Sequence, residues 1–276
     1  MPSNPESKVR RPAVAGSFYP AHAEALRSAV DRLVAQATPP PIHGTLRALI
    51  APHAGYVYSG PIAASAYTVL ARASSRPHRI VLLGPSHHLP FHGLALPEAE
   101  ALETPLGVVP VDPLAASLPQ RFSQVIRLDG AHQREHSLEV QLPFLQCVLP
   151  EGFTLVPMAV GRATPEEVSE VIELAWSLPG TLVLVSTDLS HYLPDNEARR
   201  MDTRTSQLIA AEDVEALDAE MACGYHPLAG LMHAARRVGF SIELLDLRNS
   251  SDTAGDPHQV VGYGAFAVIE SRSGSG

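Results

Sequence analysis

Apolar positions along the chain keep two alternating rhythms. From Ala21 to Ala37 they recur at Ala25, Leu26, Ala29, Val30, Leu33 and Val34, the spacing of one helix face. "LRALIAPH" then reads as a strand ending at His53, and the stretch from Ser59 to Ala73 as a helix with Ser59 as its cap and Pro61 in its first turn. A second strand runs through "HRIVLLGPSHH" (His78–His88). The segment Glu135–Leu149 looks helical, with Pro143 expected to end or kink it. Further strands are predicted over Phe153–Gly161, Thr181–His191, Phe240–Ser250 and Val260–Glu270. Helices are predicted between them over Thr164–Leu178, Glu197–Met221 and Pro227–Gly239.

Several of these strands, such as Ile80–Leu83 and Leu182–Val185, are apolar at every position, which requires helices on both faces of the sheet. Alternating strands and helices then predict a three-layer α/β/α sandwich with a central, mostly parallel sheet. The proline-rich "TPPPIHG" (Thr38–Gly44) is a connection, and no repeat or low-complexity linker divides the chain. One domain over residues 1–276 is expected, with 1–9 and 271–276 flexible.

Composition narrows the function classes. Of 276 residues, 45% are hydrophobic and 18% charged, and no apolar run is long enough to span a bilayer. A net charge of −9 argues against a nucleic-acid partner, which needs a basic face. No apolar core follows "MPSNPESKVRR", so no secretory peptide is read and a cytoplasmic location is expected. Two cysteines, Cys147 and Cys223, make no disulfide framework. The 13 histidines stand out, because histidine is both the commonest metal ligand and a proton shuttle near neutral pH.

Ligands of open α/β sheets bind beyond the carboxyl ends of the strands. Those ends deliver His53, then His87 and His88, then Asp188 and His191. A lone histidine in such a turn is ordinarily a satisfied polar residue; three strand ends with the same habit define a candidate site. His53 and His87, expected on neighbouring strands, are placed to share one metal, with Asp188 or His191 across from them. Cys223 precedes Gly224 at an expected helix start, where the helix N-terminus favours the thiolate, although a lone cysteine is also an ordinary buried apolar residue. Cys147 is assigned to the core. "REHSLEVQLPF" adds Glu135, His136 and Glu139 without the spacing of a His-Glu-x-x-His zinc signature. No phosphate-binding glycine loop and no Gly-x-Ser-x-Gly elbow occur.

The set "AGSFYP", "APHAGYVYSG", "GPSHH", "TPLGVVPVD", "EHSLEVQLPFL", "STDLSH", "CGYHP" and "DTAGD" resembles the Memo family, from about Ala13 to Glu270. The resemblance implies the LigB-like fold of class III extradiol ring-cleaving dioxygenases. It also implies a metal site at His53, His87 and Cys223, with Asp188 and His191 around the same pocket. Extradiol enzymes hold Fe(II) with two histidines and a carboxylate, whereas a thiolate third ligand is softer and suits copper, zinc or thiolate-bound iron. Family members are linked to iron or copper binding and redox chemistry. Eukaryotic members are associated with receptor-driven motility and phosphotyrosine binding, and prokaryotic ones with radical-SAM and companion proteins.

The function expected on these grounds is a mononuclear iron (Fe2+) or copper site, with zinc as a further option. It would act in oxygen-dependent or other redox chemistry on a small substrate, aromatic compounds included. His191 is the expected acid/base group, with Asp188 orienting it or bonding a neighbouring ligand, and His136 a wall residue. Two rival readings are an adaptor that uses the pocket for a peptide and a copper- or iron-sequestering protein. Tyr56, Tyr58, Tyr192 and Tyr225 are the expected aromatic rim. Arg134 and Arg248 are the only basic candidates near these motifs for a phosphorylated ligand. His88, pointing away from His87 on an extended segment, is expected to be structural.

Overall fold

The computed structural model describes residues 8–271; of the expected flexible stretches 1–9 and 271–276, residues 1–7 and 272–276 lie outside the described ones. In chain order the elements are β1 (Val9–Arg10), α1 (Ala23–Gln36), β2 (Thr45–Ala51), α2 (Tyr56–Arg72), β3 (Arg79–Pro85), β4 (Leu94–Leu96), β5 (Ala101–Thr104) and β6 (Gly107–Pro110). They continue with α3 (Leu114–Arg121), β7 (Val125–Arg127), α4 (Leu142–Val148), β8 (Thr154–Val160), α5 (Pro165–Ser177), β9 (Thr181–Ser186) and β10 (His191–Leu193). The last four are α6 (Asp195–Ala210), α7 (Tyr225–Val238), β11 (Ser241–Asn249) and β12 (Val260–Glu270). Val9 pairs with Ala101 in a small β1-β5-β6 sheet, so order begins before the expected residue 10.

The main sheet runs β10-β12-β2-β9-β3-β8-β4-β7, with β11 also paired to β12. Its centre, β2-β9-β3-β8, is parallel, but the β12–β2, β10–β12, β11–β12 and β4–β8 pairs are antiparallel. The sheet is therefore mixed rather than mostly parallel, and only its buried middle keeps the doubly covered character expected of parallel strands. There the period of two divides the residues cleanly. Leu49, Ile80, Leu82, Leu182 and Leu184 face a core shared with α1, α2 and α4. Ile50, Val81, Leu83, Val183 and Val185 face one shared with α5 and α7.

Local signals moved several boundaries. α2 starts at Tyr56 with Gly55 as its cap, and Ser59 is internal, its hydroxyl donating to the Ala54 carbonyl at 2.9 Å. Pro143 does not end a helix; it sits in the first turn of α4, where its missing N–H costs nothing. The helix expected to Met221 stops at Ala210, and the strand expected to His191 stops at Ser186. Thr164 caps α5 through a capping box with Glu167, as its sequence spacing predicts. No helix among the described residues is long and apolar enough to cross a membrane.

Candidate metal centre

The carboxyl ends of β2, β3 and β9 open onto one rim, as expected, but β9 lies between β2 and β3. His53 and His87 therefore stand on next-nearest strands, and Ser186 and Asp188 fill the gap between them. The two imidazole rings meet edge to face with centroids 5.3 Å apart. His136 completes the cluster, stacked on His87 at 4.7 Å and edge-on to His53 at 5.5 Å. One ligand atom from each of His53, His87 and His136 lies within 4.8 Å of the others. The residue expected only to form a wall is thus geometrically as close to a metal position as the two expected ligands.

Each histidine is oriented by a partner on its far side. Ser186 Oγ donates to the Ser137 carbonyl at 2.7 Å and accepts from Gln141 Nε2 at 2.8 Å. With its only proton committed, that oxygen can meet His53 Nδ1, 2.8 Å away, only as an acceptor. His53 is therefore protonated at Nδ1, and its Nε2 lone pair faces the cluster. Gln141 cannot be turned round, because its Nε2 also donates to the Pro52 carbonyl while its Oε1 accepts from Tyr67. Burial, and then His87 and His136, hold the His53 imidazole well below its ordinary pKa, so it is neutral.

Glu135 does for His87 what Ser186 does for His53. Its Oε1 lies 2.8 Å from His87 Nδ1, and its Oε2 accepts the His87 backbone N–H at 2.6 Å. The amides of His136 and Ser137 also donate to Oε1. Burial opposes the charge of Glu135, but these bonds win and hold the carboxyl well below the usual range. A carboxylate behind a histidine is the usual way to fix the tautomer of a metal ligand. His136 has its pKa lowered to about 4, chiefly by burial, and its outer face is covered by Phe18 at 4.8 Å.

Cys223 reaches the cluster from the turn before α7, its Sγ 3.3 Å from His53 Nε2 and 3.3 Å from the Asp188 amide. Gly224 permits this approach: a Cβ there would sit 2.7 Å from the Thr187 side chain and 2.9 Å from the Ser186 carbonyl. The expected thiolate is not what the surroundings favour. Burial, with Asp188 next, pushes the thiol up to about 12, outweighing the helix N-terminus. Cys147 is half-buried against the α1 and α2 core, as assigned.

Asp188 does not orient His191. Its Oδ1 accepts the His53 backbone N–H at 2.7 Å, which fixes the loop carrying that histidine, and burial raises its carboxyl to about 7. The Leu189 carbonyl holds His191 instead, 2.8 Å from Nδ1, leaving Nε2 free as an acceptor. Tyr192 follows in a left-handed conformation, φ +58°, with its side chain 70% exposed. Tyr58 and Tyr192 are exposed as a rim requires, but Tyr56 is buried, donating to the Val140 carbonyl. His88 is exposed at the edge of His136, 6.3 Å away.

Glu139 lies outside this cluster. It is fully buried and ties down the N-terminal strap, accepting from Arg10, Tyr19 and the amides of Ala13 and Val14. The donors grouped at the centre are thus three imidazoles, while the expected ligand Cys223 touches His53 at the edge of the cluster without grouping with His87. Imidazoles with a thiol beside them are chemistry that suits iron, copper or zinc. The two-histidine, one-carboxylate arrangement fits poorly, because Glu135 is saturated by four donors and Asp188 is turned to a backbone amide. A cavity of about 610 Å³ between α1, α2 and β11 contains none of these residues.

A mixed α/β sandwich with a histidine cluster and a thiol at its strand ends defines the class of the protein. The family it matches is that of the Memo-like proteins, whose model covers residues 10–267, and the chain belongs to that family. A MEMO1 family protein of Methanopyrus kandleri is 40% identical over 93% of this chain and 98% of its own length. A counterpart from Methanothermobacter thermautotrophicus is 38% identical over 92% and 98%, and one from Nitrosopumilus maritimus 33% over 95% and 100%.

Proposed function

We propose that this chain holds one metal ion at His53, His87 and Cys223, with His136 beside them, and uses it in redox chemistry on a small substrate. The observation that carries the reading is the pair of committed Nδ1 edges, His53 on Ser186 and His87 on Glu135, which turn both Nε2 lone pairs to one point. Iron or copper is favoured over zinc, since a site of imidazoles and sulfur tunes those metals between oxidation states. Bound iron or copper would supply electron transfer and an acidic coordination position. The chain's own residues do the rest. His191, neutral through burial and with Nε2 unengaged, takes a proton from a substrate hydroxyl. Phe18, next to the Tyr19 that the strap holds through Glu139, covers the His136 ring against water.

Elemental analysis of untagged protein, loaded anaerobically with Fe(II) or separately with Cu(I) or Zn(II), tests the reading. Wild type should retain about one equivalent, and His53→Ala and His87→Ala should lose it. Comparing Cys223→Ser with His136→Ala identifies the third ligand. Metal retention without oxygen consumption on any substrate would favour the sequestering reading, and equal failure of wild type and variants would sink the metal centre altogether.

A further inference from the structure

Beside Cys223 lies a second cavity, about 440 Å³, at the ends of β3 and β8. Leu89, Phe91 and Val160 give it apolar walls, and Ser86, His92, Arg162, Cys223 and His226 supply its polar chemistry. No carboxylate lines it, in a chain whose net charge is −9. The Arg162 guanidinium makes no ion pair among the described residues. Its backbone is nonetheless pinned, with its N–H donating to the Phe91 carbonyl at 2.8 Å and its carbonyl accepting from Gly93 at 2.9 Å. His226 Nδ1 lies 2.8 Å from the Ala163 carbonyl, which makes it the protonated nitrogen and leaves Nε2 as an acceptor.

We propose that this cavity binds a small organic monoanion, a carboxylate on an apolar body, with the carboxylate on Arg162 and the body between Leu89, Phe91 and Val160. A guanidinium pairs with a carboxylate through two parallel bonds. A phosphate dianion fits less well, because the amides at the start of α7 are already used. Cys223 N–H donates to the Asp188 carbonyl, Gly224 N–H to Thr187 Oγ1 and Tyr225 N–H to the Ala222 carbonyl. With those three donors committed, Arg162 is the single arginine or lysine at the cavity wall, matched to a single negative charge. A hydroxyl on the ligand would find the His226 Nε2 acceptor. Cys223 lines the cavity and also touches His53, so the cavity adjoins the histidine cluster through this one residue. As a binding site the cavity stands by itself; only the step of naming its ligand as the substrate rests on the proposed metal centre.

The test is isothermal titration of the full chain with benzoate, cyclohexanecarboxylate and the neutral analogue benzamide, with amide chemical shifts followed in parallel. Both carboxylates should bind at least tenfold more tightly than benzamide, with shifts concentrated at residues 160–162 and 223–226. Arg162→Gln should weaken benzoate at least tenfold, and Arg162→Lys should keep part of the affinity. Chelator-treated and metal-loaded protein should bind benzoate alike, so failure of the metal centre leaves this result untouched. Equal binding of benzoate and benzamide, undiminished binding by Arg162→Gln, or shifts located elsewhere would each overturn the proposal.

Discussion

Ser186 Oγ lies 2.8 Å from His53 Nδ1, and the hydroxyl's other two bonds decide which nitrogen of that ring carries the proton. The relay from Tyr67 through Gln141 to Ser186 is buried throughout, so water cannot substitute for any member. Removing the hydroxyl leaves three buried groups short of a partner: the imidazole Nδ1, the Gln141 amide and the Ser137 carbonyl. Ser186→Ala should cost about 1–3 kcal/mol in urea unfolding. It should also lower metal affinity about 10- to 100-fold, since the ring is free to take the other tautomer. Nitrogen-15 shifts of His53 in the metal-free protein report the tautomer directly, and an unchanged Nδ1–H signal would refute the role given to Ser186.

Glu135 bonds His87 twice, through the ring and through the backbone, and also accepts the two amides that follow it. Every one of these partners is a donor. Glu135→Gln places an NH2 group against at least one of them, which no rotation relieves. The expected loss is about 1.5–3 kcal/mol, the range for hydrogen bonds to a charged group. Metal affinity should fall with it, while Glu135→Asp, too short to hold both oxygens in place, should fall between. Wild-type affinity in Glu135→Gln would mean that His87 needs no support.

The parts legible in the sequence were those set by unbroken apolar runs. β3, β8 and β9 are apolar at almost every position because both faces are covered. Strands β4 to β7 have three or four residues each, too few for a period to show, and they were invisible. The histidines were legible because strand ends of an α/β sheet have chemical meaning. That β9 separates β2 from β3 was not, since strand order is decided by long-range pairing. Ser186 and Gln141 gave no signal of their own; a serine or glutamine becomes part of a site only through the partners the fold brings to it. The protonation of Cys223 was misread for a related reason, because burial depends on what covers the helix start.

Glu139 accepts four donors while fully buried, among them the guanidinium of Arg10, whose side chain is only 8% exposed. Breaking such a pair leaves one buried charge without its partner, which typically costs about 3–5 kcal/mol. Glu139→Gln should show a loss of that size by chemical denaturation. Adding Arg10→Met should recover part of it, because the orphaned charge is then gone. A double variant no more stable than the single one would show that the charge pair is not what holds the strap.

Asp202 on α6 is 3% exposed and accepts from the Ser190 amide at 3.0 Å and the Ser190 hydroxyl at 3.1 Å. Burial outweighs these bonds and raises its carboxyl from 3.8 to about 6. Between those two values the folded chain keeps a proton that the unfolded chain has released, so the proton-bound form stabilises the fold at the acid end. This stability is fully present below 3.8 and is lost as pH rises through about 6, the complete loss, reached well above 6, coming to about 3 kcal/mol. In Asp202→Asn the oxygen still accepts from the Ser190 amide, the new NH2 donates to its hydroxyl, and no charge has to be buried. Urea unfolding at pH 4 and at pH 7 should therefore show the variant gaining about 2 kcal/mol on wild type across that interval. Comparing the two proteins cancels the carboxylates they share, including Glu135, whose low pKa acts in the opposite direction. A constant difference between variant and wild type would mean that the Asp202 carboxyl is charged at both pH values, and that its two Ser190 bonds outweigh burial.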